Sequence, residues 1–364
     1  MEPRECLIAL HEITGVGWAS IASLISHSDN WFQLMGSGSG TFRANGISHQ
    51  ISDIIAREWN EINASNTLQH YEEKGIQVIT IFDDSYPEWL RHIPKAPWVL
   101  YAIGRIELLQ SPSIAIVGTR TPTVYGKKAA FEFAQSLVPY GITITSGLAR
   151  GVDGEAHLGA LKSGGGTIAV LGCSVNMVYP KEHGNLYKQI ATDGLLLSEY
   201  PIGTIAHPGL FPQRNRIISG LSLGTLVIEA AARSGSLITA DFAFQQNREV
   251  FALPGSIYSP RSMGTNELLT DRHAIAVTEA EHIVREYRNQ FQFPHLDKTS
   301  REEQTTSITT EEKNVLRFIE EEPITLDELH ERTETKFGHL HTILLSLALK
   351  NLIEQLPGPS YRKK

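Results

Sequence analysis

Ile142-Thr143-Ile144-Thr145-Ser146-Gly147-Leu148-Ala149-Arg150-Gly151-Val152-Asp153 packs three kinds of local structure into one short stretch. Its β-branched run reads as a buried strand, its glycines as a tight turn, and Val152-Asp153 as the opening of a helix. The same plan recurs outward in both directions. Upstream stands Ile114-Ala115-Ile116-Val117. Downstream come Ile168-Ala169-Val170-Leu171, Leu195-Leu196-Leu197, Thr225-Leu226-Val227-Ile228, Val250-Phe251-Ala252-Leu253 and Ala274-Ile275-Ala276-Val277. Short, continuously apolar runs separated by helical stretches are the pattern of a parallel sheet covered on both faces. The reading is an α/β fold with a doubly wound, mostly parallel, Rossmann-like sheet. An earlier run, Ile76-Gln77-Val78-Ile79-Thr80-Ile81, adds a strand or a small subdomain at the front.

The flanks read differently. Residues 1–65 form short helices around Thr14-Gly15-Val16-Gly17, a pattern that suits either a helix-hairpin-helix (or SAM-like) unit or a plain helical turn. Residues 66–290 are the sheet domain. Residues 291–308 are polar and aperiodic and read as a linker. Residues 309–364 hold three helical patterns and a closing hairpin, which makes a winged helix. Its third helix offers His339, His341 and Lys350 where a base-reading helix usually shows Arg, Asn or Gln, so protein interaction is favoured there over specific DNA reading.

With 364 residues, 41% of them hydrophobic, the chain has enough material for two or three cores. Cys6 and Cys173 lie far apart, outside any metal or redox spacing, and read as reduced thiols of a cytoplasmic protein. No signal peptide or membrane span is expected, because no long apolar stretch occurs. The net charge of −8 is unevenly spread: −6 over residues 1–110, +2 over 111–260 and −4 over 261–364. An acidic chain with a mildly basic middle permits a local anion site.

The C-terminal ends of the strands form the ligand crevice in folds of this class. Here they carry Gly118-Thr119-Arg120, the loop Ser146 to Gly151 with Gly147 and Arg150, Lys181, the run Arg214-Asn215-Arg216, and Arg233. Glycine-rich turns expose backbone N–H groups to anions, and arginines beside them fit phosphate oxygens. Cations spread over several loops suit an extended polyanion better than one pyrophosphate. The competing reading is that some of these arginines, Arg216 and Arg233 above all, pair internally with Asp153, Glu199 or Glu229. Neither Gly-x-Gly-x-x-Gly after the first strand nor a Walker sequence occurs, so no nucleotide cofactor is expected. The histidines lack metal spacing, so no metal is expected either.

Taken together these turns resemble the DprA/Smf (DNA-processing protein A) family. Ile116-Val117-Gly118-Thr119-Arg120 with Tyr125-Gly126 is similar to its first signature, and Thr145 through Asp153 with Ala156-His157 to its second. Ala169-Val170-Leu171-Gly172 with Tyr179-Pro180, Phe211 through Leu221, Ser234 through Ala240, and Arg248 through Gly255 complete it. The resemblance implies a homodimer that binds single-stranded DNA in a basic pocket at the sheet's rim. It also implies loading of the RecA recombinase onto incoming strands in natural transformation, with displacement of single-strand-binding protein, and no catalytic residue. One departure is His273, read as standing where the family pattern has a glycine.

Two other readings remain. Ser222 through Glu229 faintly resembles a segment of the nucleoside monophosphate phosphoribohydrolases, where a glutamate works beside bound phosphate; the double glycine that precedes it there is missing. The other is a pure protein adaptor. For base stacking the candidates are Tyr125 and Phe211, with Phe211 leaning toward the core.

Overall fold

Side chains along each central strand alternate between two helix layers, as the period of two demands. In β5 (Thr167–Leu171), Ala169 and Leu171 point into one core and Ile168 and Val170 into the other. This computed structural model describes residues 2–27, 30–59, 64–291, 309–319, 322–333, 335–349, 352–356, 358 and 360–363. They belong to two compact units, Met1–Pro294 and His295–Lys364.

The first unit holds a sheet of order β1-β2-β6-β5-β4-β3-β7-β8-β9. Its strands are β1 (Gln77–Thr80), β2 (Val99–Gly104), β3 (Ser113–Val117), β4 (Thr143–Ser146), β5, β6 (Leu195–Ser198), β7 (Gly224–Val227), β8 (Glu249–Ala252) and β9 (Ile275–Ala276). From β6 to β9 all neighbours are parallel; β1 and β2 are added antiparallel at the β6 edge. All seven expected parallel strands are present, and the early run is β1. The antiparallel β2 was not foreseen. The order reverses at β3, whose neighbours are β4 and β7, and this switch point opens a crevice above the strand ends.

Helices α1 (Pro3–Glu12), α2 (Trp18–His27), α3 (Ser39–Ala44), α4 (His49–Glu58) and α5 (Ala64–Glu73) precede the sheet, and α6 (Glu88–Arg91) joins β1 to β2. The sheet helices are α7 (Val124–Leu137), α8 (Val152–Lys162), α9 (Gly184–Asp193), α10 (Leu210–Leu221), α11 (Gly235–Gln245), α12 (Met263–Thr270) and α13 (Ala280–Tyr287). The apolar faces of α1, α2 and α5 do not close a core of their own. They share one with Val99 and Tyr101 of β2 and with Leu186 and Ile190 of α9. The Gly15 turn, at φ +94°, delivers Trp18, which stacks on Trp98 and donates its indole N–H to the Ala96 carbonyl at 2.7 Å. Glu12 accepts hydroxyl hydrogen bonds from Tyr71 and Tyr101 at 2.7 and 2.6 Å. Arg4 donates to the Val78 carbonyl on the outer edge of β1 and pairs with Asp83 at 2.9 Å.

The second unit has α14 (Thr310–Leu316), β10 (Ile324–Thr325), α15 (Leu326–Thr333), α16 (Phe337–Leu349), β11 (Ile353–Leu356) and β12 (Ser360–Lys363), with sheet order β10-β12-β11. Thr309 and Glu312 form a capping box that starts α14. Val315, Leu329, Leu340, Leu344, Leu347 and Tyr361 close its core. This is the winged helix expected. Residues 292–308, most of the expected linker, lie outside the described residues.

Candidate nucleic-acid interface

The crevice begins with a steric requirement. After β4 the chain must turn under the β3 loop, and Gly151 does this at φ +78°. A Cβ there would lie 2.5 Å from the Thr119 carbonyl oxygen and 2.8 Å from the Arg120 carbonyl carbon, so only glycine fits. Gly118 is held as tightly, against Val152. These contacts lock the first two strand-end loops together and leave Arg120 projecting, exposed, with no ion-pair partner among the described residues. Its guanidinium lies 5.9 Å from the centre of the Phe211 ring. Phe211 stacks in turn on Tyr179, ring centres 5.1 Å apart. Gly172 makes room for this, since a Cβ would meet the Phe211 ring at 2.6 Å.

The Tyr179–Phe211 stack divides the crevice into two lobes of about 550 and 500 Å³, and Arg120 and Arg214 line both. One lobe is walled by Asn215 and by the start of α11, where Ser234 caps the helix and Gly235 is open to the cavity side. The other is walled by Gly147, Arg150, Lys181 and the apolar Cys173, Met177 and Val178. Arg214 is only 4% exposed and forms part of the floor. It donates to the Gly147 carbonyl at 2.9 Å and to the Val170 carbonyl. Across Gly147 sits Asp153, which accepts from the Gly147 and Ala149 amides at 3.1 and 3.3 Å. Burial raises the Asp153 pKa against the pull of Arg214, and burial lowers that of Arg214. The crevice thus sets Arg120, Arg150, Arg214 and Lys181 against two carboxylates, Asp153, which accepts from backbone amides, and Glu182, which pairs with Arg150, leaving a net positive field.

Other candidate residues are placed differently. Arg150 is exposed but pairs with Glu182. Lys181 is exposed at the rim, and Asn215 bridges Arg214 Nε and the Gly235 carbonyl, both at 3.3 Å. Ser146 is buried, with its hydroxyl donating to the Ile116 carbonyl at 2.6 Å, so it faces the sheet. Arg216 does not reach the crevice either. It is buried, ion-paired to Glu199 and bonded to the Lys95 carbonyl, the internal pairing held open above. Arg233 is exposed but lines a separate cavity with Asp241, Glu267 and Asp271.

Phe211, which leaned toward the core, is a half-buried wall of the crevice. Tyr179 was overlooked as an aromatic wall, although an aromatic before Pro180 at a strand end was the signal. Tyr125 belongs to a neighbouring cavity of about 530 Å³, which also holds Glu229. Glu229 is buried. Its two oxygens accept from the Thr123 amide (2.8 Å) and hydroxyl (2.6 Å), and the same hydroxyl accepts from the Gly126 amide. It therefore holds Thr123, the residue that caps α7, and anchors neither Arg216 nor Arg233.

A family model described as DNA recombination-mediator protein A matches residues 77–288, and another, the DprA winged helix domain, matches residues 299–359. The chain belongs to the DprA/Smf family. Protein Smf of Synechocystis is 36% identical over 350 residues, 88% of each chain. DNA processing protein DprA of Bacillus subtilis is 43% identical over 60% of this chain and 74% of its own. Among solved structures, DprA of Streptococcus pneumoniae superposes with a TM-score of 0.70 at 33% identity, covering 80% of this chain and all of that one. DprA of Helicobacter pylori superposes with a TM-score of 0.54 at 32% identity, over 59% and 98%, and its structure was described for a single-stranded DNA binding mode. The position with glycine-like backbone in this turn is Arg272, at φ +59°, and not His273, the residue read as replacing a glycine. His273 packs against Phe244 instead, ring centres 5.7 Å apart. No helix among the described residues is long and apolar enough to cross a membrane.

Proposed function

We propose that the crevice binds single-stranded DNA and that the protein acts on DNA taken up in natural transformation. The observation that carries this is Arg120: an exposed guanidinium with no ion-pair partner among the described residues, held over an aromatic stack above a second, buried arginine. Cation and ring side by side match the two repeating features of a single strand, phosphate and base face. Gly118, Gly147, Arg150, Gly151, Lys181, Arg214 and Asn215 complete the site in this reading. Ser146 and Arg216 act from behind it, and Arg233 stands to one side.

In the wider reading the protein protects incoming strands and loads RecA recombinase onto them, displacing single-strand-binding protein, as a cytoplasmic homodimer without catalytic residues. Its modules are the helical segment 1–65, the sheet domain 66–290 and the winged helix 309–364. Phe337 and Leu345, both exposed on α16, favour protein contact over base reading by the winged helix. The hydrolase alternative rests on Glu229, whose two oxygens are committed to Thr123.

Filter binding to oligo-dT over a salt series tests the core of the proposal. Salt-sensitive binding that prefers single strands, weakened in Arg120→Ala/Arg150→Ala, is the expected result. Absence of binding, or indifference to the double substitution, removes the site. A RecA-loading assay on strands coated with single-strand-binding protein tests the wider role. Turnover of nucleoside monophosphates abolished in Glu229→Gln would instead establish the hydrolase.

A further inference from the structure

The cavity beside the crevice has no part in the site described above. The β3–α7 loop separates the two: Gly118 and Arg120 line the crevice, while Thr123 and Tyr125 line the cavity. Its far wall is the loop Pro254–Ser262 after β8, which contributes Ser256, Ser259 and Ser262. Tyr125 bridges the two walls through a hydrogen bond to the Pro254 carbonyl (3.2 Å) yet keeps half its surface in water. Tyr258, on the same wall loop, is 89% exposed, and its neighbour Ile257 is 79% exposed. Large exposed side chains gathered in one place mark an interaction surface.

Charge selects the occupant. Lys127 and Lys128 follow Tyr125 on α7 and Arg261 lies on the wall loop, all three exposed. The one carboxylate in the lining, Glu229, is buried under Thr123, and Lys128 pairs with Glu132 at 3.6 Å, which leaves Lys127 and Arg261 as the cations these two elements present. Hydroxyl-bearing rings, serine hydroxyls and cations with little free acid suit nucleobases and phosphates better than an apolar peptide. We infer that this cavity is an accessory stacking platform, where Tyr125 and Tyr258 hold bases of a strand that leaves the crevice over the β3–α7 loop. The inference rests on single-stranded DNA occupying the crevice.

A length series separates the two. Binding of dT6 and dT20 is measured for the wild type, for Tyr125→Ala/Tyr258→Ala and for Arg120→Ala. The tyrosine double variant is expected to bind dT6 like the wild type but dT20 about thirtyfold more weakly, two stacked bases at roughly 1 kcal/mol each. A dT20 made abasic outside one six-nucleotide window should erase the wild type's advantage over that variant. Arg120→Ala is expected to lose affinity at both lengths. Unchanged dT20 binding in the tyrosine variant, or equal losses at both lengths, overturns the platform while the crevice stands. No binding of either oligonucleotide by the wild type overturns the crevice reading itself.

Discussion

Two hollows open at the C-terminal ends of the same sheet, one around Arg214, each of whose two lobes is close in volume to the other hollow, which surrounds Glu229. Each has a buried charged side chain at its base and a glycine cut away to admit it: Gly147 for Arg214 and Gly126 for Glu229. In the first, the charge is a cation bonded to carbonyls and set beside Asp153, with a second cation, Arg120, above it that has no ion-pair partner among the described residues. In the second, the charge is an anion fully committed to the start of α7. Volume does not tell them apart. What separates them is the sign of the buried charge: a cation faces the ligand in the first, while in the second the carboxylate is turned into Thr123 and leaves a ring and hydroxyls at the surface.

Arg214→Ala is the strongest way to break this contrast. It strips partners from the Gly147 and Val170 carbonyls and leaves Asp153 without its cation, an expected loss of about 3–5 kcal/mol in urea unfolding. A loss below about 1 kcal/mol would mean the floor is not organised by charge.

Acid sharpens the contrast next. His157, beneath the crevice on α8, is buried, bonded to Thr167 at 2.7 Å, and pushed down to about 3 by burial. Its ordinary value is 6.5, so below that the unfolded chain takes up a proton that the folded chain refuses. Stability therefore falls as pH drops from 7 toward 3, by up to about 1.4 kcal/mol per pH unit. His11, lowered to about 4, adds to the same slope down to that pH. Unfolding free energies at pH 7 and 5 should differ by about 2 kcal/mol less in His157→Gln than in the wild type; equal slopes would place the acid sensitivity elsewhere.

Glu229→Gln comes third. The amide must turn an N–H toward one of the two Thr123 donors, which costs about 1–2 kcal/mol. Affinity for dT6, which the crevice alone holds, should be unchanged. A large loss of dT6 affinity with intact stability would mean that Glu229 belongs to the crevice.

The smallest effect is Arg120→Ala, which should leave thermal stability unaltered and weaken oligo-dT binding about tenfold, lowering the salt slope by roughly one. A variant that unfolds readily would show the residue to be structural.

Much of the fold was legible because buried parallel strands are continuous apolar runs, and seven of them stand out. β2 was not, because its run, Val99–Gly104, is antiparallel and lacks the turn-and-helix sequel that marked the others. The site was legible in part. Gly118, Gly151 and Arg120 lie together in sequence and act together in space. Arg214 and Arg216 both stood as site residues, with internal pairing held open for Arg216. Two residues apart on a helix, they point roughly opposite ways, and nothing local says which faces the crevice. Ser146 was misleading for a similar reason: at a strand's last position one bond decides whether a hydroxyl meets solvent or the neighbouring carbonyl. Arg233 and Tyr125 fell into other cavities because loop paths, which the sequence does not encode locally, draw the boundaries between them.

The contact between Arg4 and the Val78 carbonyl has a consequence for the life of the chain outside its native state. A sheet's outermost strand offers unpaired backbone groups to any other extended chain. At one margin this sheet ends in β9, only two residues long and too short to serve as a template. At the other, a guanidinium from the first helix occupies the edge and is held there by Asp83. The opening residues of the protein thus act as a guard against strand-to-strand aggregation, and a chain that loses them exposes β1 as a seed for it.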